Sequence, residues 1–232
     1  MKKIGIIGAM ELEVETLKST MTVERKVVKA GMEFNEGTLK GTKVVVVKSG
    51  IGKVNAALCV QILADLFNVT HVINTGVAGS LNAKLNIGDI LISKIALQHD
   101  MDATNFGYPK GEIPQMGITE FVANEKLVSL AYDTCTKLFP EITAVVGRVV
   151  SGDQFIAEDD IKKRLIDEFQ GDCCEMEGAA IAHGAYLNSI PFVVLRAISD
   201  KADGSAQMDY PTFERESAKR CAKLVENLVA LI

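Results

Sequence analysis

No stretch of this chain stays apolar for the ~20 residues that a membrane span needs. The short apolar opening, Ile4 to Met10, runs straight into acids, so no secretion signal is read there either. Its five cysteines, Cys59, Cys135, Cys173, Cys174 and Cys221, are odd in number and nowhere spaced CxxC. That argues against a disulfide framework and against a zinc site, and it points to the reducing cytosol. Basic residues are not clustered and the net charge is -5, so the basic face that a nucleic-acid partner needs is missing. The three histidines, His71, His99 and His183, have neither metal-ligand nor triad spacing, and they read as structural or surface residues. Nucleotide-cofactor motifs fail as well. Gly50-Ile51-Gly52 lacks the third glycine of GxGxxG because Asn55 stands there, and Lys53 has Val47 where a P-loop needs its first glycine. Ser151 and Ser199 lack a GxSxG elbow, and the Cys173-Cys174 pair has no basic neighbour to activate it. No metal and no cofactor are expected.

What is present is an ordinary enzyme-like composition. The chain has 232 residues, 48% hydrophobic and 24% charged, enough for one large core and too few for two comfortable domains. A single domain over residues 1–232 follows. Strands are read at Ile4–Gly8, Val44–Val47, His71–Asn74, Ile90–Ala96, Ala144–Val150 and Pro191–Ile198. Helices are read at Glu11–Ser19, Ala56–Phe67, Glu125–Leu138, Ile161–Phe169, Met176–Leu187 and Tyr210–Leu231. Met32–Leu39 and Thr42–Lys48 form a hairpin around Lys40-Gly41, so the sheet is mixed. Thr75 to Ser80 reads as a glycine-bearing loop, and His99 to Gln115, with two glycines and two prolines, as a long functional loop. Alternating strands and helices predict a three-layer α/β/α sandwich.

Three acidic segments stand where strands give way to loops or helices: Met10-Glu11-Leu12-Glu13, Glu175-Met176-Glu177-Gly178 and Arg196-Ala197-Ile198-Ser199-Asp200. Ligands of α/β sheets bind outside the carboxyl ends of the strands, so three such segments could converge on acid/base chemistry. A plainer reading competes for the first two, because acids in a first helical turn complement the helix dipole. Asp200 resists that reading, since it ends a buried strand. Arg196, on the same apolar strand, needs an anionic partner, and a glutamate across the cleft would satisfy it.

Several segments, taken in order, carry a resemblance. They are Gly5-Ile6-Ile7-Gly8-Ala9-Met10-Glu11-Leu12-Glu13, Lys48 to Ala57, Asn74-Thr75-Gly76, Ser151-Gly152-Asp153, Glu175-Met176-Glu177 and Arg196 to Asp200. Together the chain resembles the 5'-methylthioadenosine/S-adenosylhomocysteine nucleosidases of the nucleoside phosphorylase superfamily. The resemblance implies an α/β/α sandwich around a mixed, partly closed sheet. It implies a homodimer that binds small adenine nucleosides in a site shared between subunits. It makes Asp200 the general acid toward adenine, helped by Ser199, and Glu13 the group that activates water, with Arg196 nearby. Glu177 would hold the ribose hydroxyls and Met176 would pack on the sugar. Ile156 would read the adenine edge through its backbone, and Phe155 would stack on the ring. Met10, Ile51 and Tyr210 would line the sugar and thioalkyl end, beside the Val77-Ala78-Gly79 loop. Phe106 and Pro114 would be lent to the neighbouring subunit. Val77 stands where the family commonly has serine, and Tyr210 where it commonly has phenylalanine.

Alternatives remain at this level: a phosphorylase on the same fold, a nucleosidase for aminodeoxyfutalosine-type nucleosides, or a non-catalytic adenine-nucleoside sensor. Glu11, Glu13 and Glu15 at the first strand's end disfavour phosphate, which needs cations there.

Overall fold

A computed structural model describes residues 2–232, apart from the side chains of residues 207 and 208. In chain order the elements are β1 (Ile4–Gly8), α1 (Glu11–Thr20), β2 (Thr22–Lys29), β3 (Met32–Leu39), β4 (Thr42–Lys48), α2 (Lys53–Phe67), β5 (His71–Ser80), β6 (Ile90–Gln98), β7 (Phe121–Val122), α3 (Glu125–Leu138), β8 (Ala144–Ser151), α4 (Asp159–Phe169), β9 (Cys173–Glu175), α5 (Gly178–Leu187), β10 (Phe192–Asp200) and α6 (Ala206–Leu228). The sheet runs β10-β6-β8-β9-β5-β1-β4-β3-β2, and β10 also pairs with β5. That extra pairing closes β5, β10, β6, β8 and β9 into a barrel-like ring. Strands β1, β4, β3 and β2 leave it as an open wing, and the two-residue β7 pairs with β6 on the ring. The sheet is mixed: β10 is parallel to β5 and antiparallel to β6.

Helices cover both faces. Helices α2 and α5 pack over one buried cluster through Ala56, Val60, Leu63, Ala179, Ile181 and Ala185. Helices α1, α3 and α6 pack over the other through Val14, Leu17, Leu127, Ala131, Cys221 and Leu228. Each fully buried Val, Leu or Ile contributes about 1.5–3 kcal/mol, so these two layers dominate the folding energy. Helix α4 closes a third, smaller cluster through Leu165 and Phe169. All five cysteines are free and buried.

Four sequence readings need correction. Thr75 to Ser80 is not a loop. It continues β5, pairing with β10 as far as Gly79 and with β9 through Gly79 and Ser80. Its glycines mark close approach rather than a turn: a Cβ on Gly76 would lie 2.5 Å from Glu13 Oε1, and one on Gly79 2.7 Å from Asp200 Oδ2. Residues 173–175 form a strand, so α5 starts at Gly178 and not at Met176. Helix α6 starts at Ala206, four residues before Tyr210, because Pro211 marks a position inside the helix and not its first turn. Strand β2 had no apolar signal; it is an edge strand, almost wholly exposed and held by the ladder to β3. The stretch from His99 to Gln115 is largely irregular, with one short 3₁₀ turn at Thr104–Phe106.

Candidate active site

A cavity of about 350 Å³ opens at the carboxyl ends of the parallel strands β1, β5 and β10. Its wall comes from every expected segment: Met10 and Glu13 after β1, Ile51 in the turn before α2, Val77, Ala78 and Gly79 on β5, Phe155 after β8, Met176 and Glu177 between β9 and α5, Ser199 and Asp200 closing β10, and Tyr210 on α6. Ile156 is buried and lines a smaller adjoining cavity with Phe155, Met176 and Asp200. Arg196 is fully buried beneath the floor. Phe106 and Pro114 stand apart from the cavity; Phe106 is 85% exposed.

Glu13 is held by the backbone. Its Oε2 accepts N–H bonds from Ala9 (2.7 Å) and Met10 (3.0 Å), and its Oε1 accepts one from Val77 (3.1 Å). Burial pushes its pKa up, outweighing the opposing pull of Arg196 and of these N–H donors. The group is thus poised to take a proton while donors still favour its anion.

Asp200 follows a bulge at the end of β10, where Ser199 drops out of register so that Asp200 faces Gly79. Ser199 Oγ donates to Asp200 Oδ1 (2.9 Å) and Ala202 N–H to Oδ2 (2.8 Å). Burial outweighs both bonds, and the pKa rises above the usual aspartate range. A carboxyl in that condition can act as an acid.

Sequence reasoning left Glu175 unassigned, yet it organises the floor. It ion-pairs with Arg196, accepts from Ser151 Oγ, and its Oε2 accepts N–H bonds from Glu177 (3.1 Å) and Gly178 (2.8 Å) at the start of α5. Burial alone would raise its pKa, but the Arg196 charge and these bonds outweigh burial and lower it. It is the partner that a buried arginine demanded. Arg196 also donates to Asn74 Oδ1 (2.5 Å). Glu177, two residues on, accepts among the described residues only the Gly52 N–H (2.8 Å), and burial together with the Glu175 charge raises its pKa. The other unforeseen wall residues are Ala9 and Cys174. Burial pushes the Cys174 thiol well up, in keeping with an inert pair. Of the histidines, His183 stacks on Phe121 and His71 meets Thr70. Among the described residues no cluster could hold a metal ion.

The site thus offers a protonatable acid on one wall, a backbone-held carboxylate on another, and mostly apolar surface between. Residues 3–230 match the profile of the phosphorylase superfamily. The chain belongs to that superfamily. A 5'-methylthioadenosine/S-adenosylhomocysteine nucleosidase of Staphylococcus aureus (strain JH9) is 42% identical over 228 residues, covering 98% of this chain and 99% of the relative. The crystal structure of the Neisseria meningitidis nucleosidase of that name, in complex with methylthio-immucillin-A, superposes with a TM-score of 0.96 at 35% identity and full coverage of both chains. The Colwellia psychrerythraea nucleosidase in complex with adenine gives a TM-score of 0.94 at 39% identity, covering 98% of this chain and 94% of that one. This phosphorylase-superfamily protein is a nucleosidase, a hydrolase of N-glycosyl compounds.

Proposed function

We propose that this nucleosidase hydrolyses the N-glycosidic bond of 5'-methylthioadenosine and S-adenosylhomocysteine, and also of 5'-deoxyadenosine, releasing adenine and the corresponding ribose derivative. Its place is methionine salvage and the recycling of S-adenosylmethionine by-products in the cytoplasm. The observation that carries the reading is the pairing of Asp200, buried and raised in pKa, with Glu13, held by N–H donors, in one cavity.

In this mechanism the C1'–N9 bond breaks through an oxocarbenium-like sugar. Asp200 gives its proton to adenine N7, so the electron pair leaves on a neutral base, with Ser199 holding the carboxyl in place. Glu13 accepts a proton from water as the water oxygen bonds to C1'. Glu177 takes the ribose hydroxyls, and the cationic sugar favours its ionised form against the burial and the Glu175 charge that raise its pKa. Phe155 stacks on the base, Ile156 reads its edge through the backbone, and Met176 packs on the sugar. Met10, Ile51, Val77 and Tyr210 enclose the sugar and thioalkyl end, with Ala78 and Gly79 close to the substrate along β5.

Water is favoured over phosphate for a local reason. Arg196, the cation near Glu13, is already engaged by Glu175, and Glu13 itself is acidic. An incoming dianion would meet repulsion, with no lysine or arginine in the cavity lining among the described residues.

The same reading includes a homodimer. Helix α2 exposes Val54, Leu58 and Leu66, and the adjoining α5 exposes Tyr186 and Leu187, an apolar face of the kind that marks an interface. Phe106 stands out from the loop between β6 and β7, available to complete a neighbour's site with Pro114.

The deciding experiment incubates the protein with methylthioadenosine, with and without phosphate, and identifies the sugar. Free methylthioribose at equal rates supports the reading. A sugar 1-phosphate, or dependence on phosphate, overturns it. Parallel incubation with an aminodeoxyfutalosine-type nucleoside measures that alternative directly.

A further inference from the structure

A polar cluster just outside the cavity has no part in the steps above. Lys53 opens α2, and its two nitrogens point to two different segments. Its backbone N–H donates to Asp153 Oδ1 (2.8 Å), on the segment that leaves β8. Its Nζ donates to Asp100 Oδ1 (2.6 Å) and Gln98 Oε1 (3.1 Å), at the end of β6. Asp100 then closes the circuit, because its Oδ2 accepts the Asp153 N–H (3.0 Å). The Lys53–Asp100 pair is only 19% exposed on either side. Burial would raise the Asp100 pKa, but the Lys53 bond and charge and the Asp153 N–H outweigh it, so its pKa is lowered and the carboxylate stays charged.

The circuit joins pieces that carry the substrate wall. The residue before Lys53 is Gly52, whose N–H holds Glu177 Oε1 (2.8 Å), and the residue before that is Ile51. Gly52 has φ +97, and a Cβ there would lie 3.1 Å from Asp153 Oδ1, so turn and segment pack without slack. Two residues past Asp153 comes Phe155, then Ile156. Asp100 stands at the root of the long segment that bears Phe106. Among the described residues no ladder ties the turn at 50–52 to residues 152–156; beside the indirect route through Glu177, Glu175 and the Gly152 N–H (3.2 Å to Glu175 O), this circuit is what links them directly.

We propose that Lys53 is a positioning residue that sets the gap between the ribose side of the cavity, Ile51 and Glu177, and the base side, Phe155 and Ile156, through Asp100 and Asp153. This deepens the nucleosidase reading and rests on it. With the circuit broken, the two sides drift apart in the free enzyme, and substrate binding must first draw them together. That cost falls on ground state and transition state alike, which raises KM and leaves kcat little changed.

The test is steady-state kinetics on methylthioadenosine with Lys53→Met, which keeps the backbone N–H and removes the ammonium. KM is expected to rise about tenfold with kcat within about threefold, and Lys53→Arg to recover most of the loss. Asp100→Asn serves as the second variant, since it keeps one acceptor for Nζ and loses the acceptor for the Asp153 N–H; it should show the same split. Folded Lys53→Met or Asp100→Asn with unchanged KM overturns the proposal. So does a loss confined to melting temperature, or one that arginine fails to rescue. Unmodified protein run in parallel separates the two readings: if it leaves methylthioadenosine intact, the substrate assignment fails, and the split is then read as adenine affinity by calorimetry in the same variants.

Discussion

Glu175 closes β9 and Glu177 sits two residues on, just before α5; both carboxyls are buried, and their protons behave in opposite ways. Glu175 faces Arg196, Ser151 and two helix N–H groups, and its pKa falls. Glu177 has one N–H donor and the charge of Glu175 beside it, and its pKa rises. Burial is common to both, so partners decide. The floor of the cavity is a neutralised, fully satisfied network, and its wall holds carboxyls with too few donors to stay charged at no cost. The first arrangement gives rigidity, the second gives chemistry.

The largest expected effect tests the wall. Asp200→Asn should lower kcat by about 10²- to 10⁴-fold while methylthioadenosine still binds, measured by single-turnover kinetics and calorimetry. A variant with near-normal kcat would remove Asp200 from the acid role.

The next tests the floor against the wall. Glu175→Gln leaves Arg196 buried without its counter-charge and should cost about 3–5 kcal/mol in denaturant unfolding, nearer the low end because the amide still accepts hydrogen bonds. Glu177→Gln removes a like charge and should leave stability equal or higher, while kcat/KM drops. If both variants lose stability equally, the contrast between floor and wall collapses.

The contrast also has a pH signature. A carboxyl whose folded pKa lies above its unfolded value contributes stability that is complete below the unfolded pKa and lost as pH rises through the folded one. For Glu177 the unfolded value is near 4.5, so the unliganded protein should lose stability relative to Glu177→Gln as pH climbs above 4.5. Thermal melts of the two proteins across that range measure it, and a pH-independent difference refutes it.

A smaller effect is expected at Phe106→Ala, which should raise KM for methylthioadenosine more than it lowers kcat; light scattering of the variant and the unmodified protein checks that the proposed dimer is equally formed in both. Smallest is His99, buried with both ring nitrogens unpartnered and its pKa lowered by burial. Its neutral form stabilises the fold above pH 6.5, and that contribution fades as pH falls. His99→Leu should therefore narrow the gap between melting temperatures at pH 7 and pH 5.

The sequence by itself determined the order of the helices and of the longer core strands, though not β2, β7 or β9, together with the lack of metal and cofactor motifs and the acidic segments at the strand ends. Short-range pattern suffices for these, because apolar periodicity and failed spacings are local properties. Strand-end position pointed to the acids Glu13, Glu177 and Asp200, and the resemblance carried by the ordered segments named nearly all the other wall residues. What it could not decide is long-range. That β10 also pairs with β5 and closes a barrel depends on contacts more than a hundred residues apart. That Gly76 and Gly79 lie within a strand, and not in a loop, depends on Glu13 and Asp200 arriving from elsewhere to fill the space a Cβ would take. Arg196 called for an acid, but only the fold chose Glu175 for it and left Glu177 facing the cavity. A pKa follows from the donors and charges gathered around a group, and only the tertiary structure gathers them.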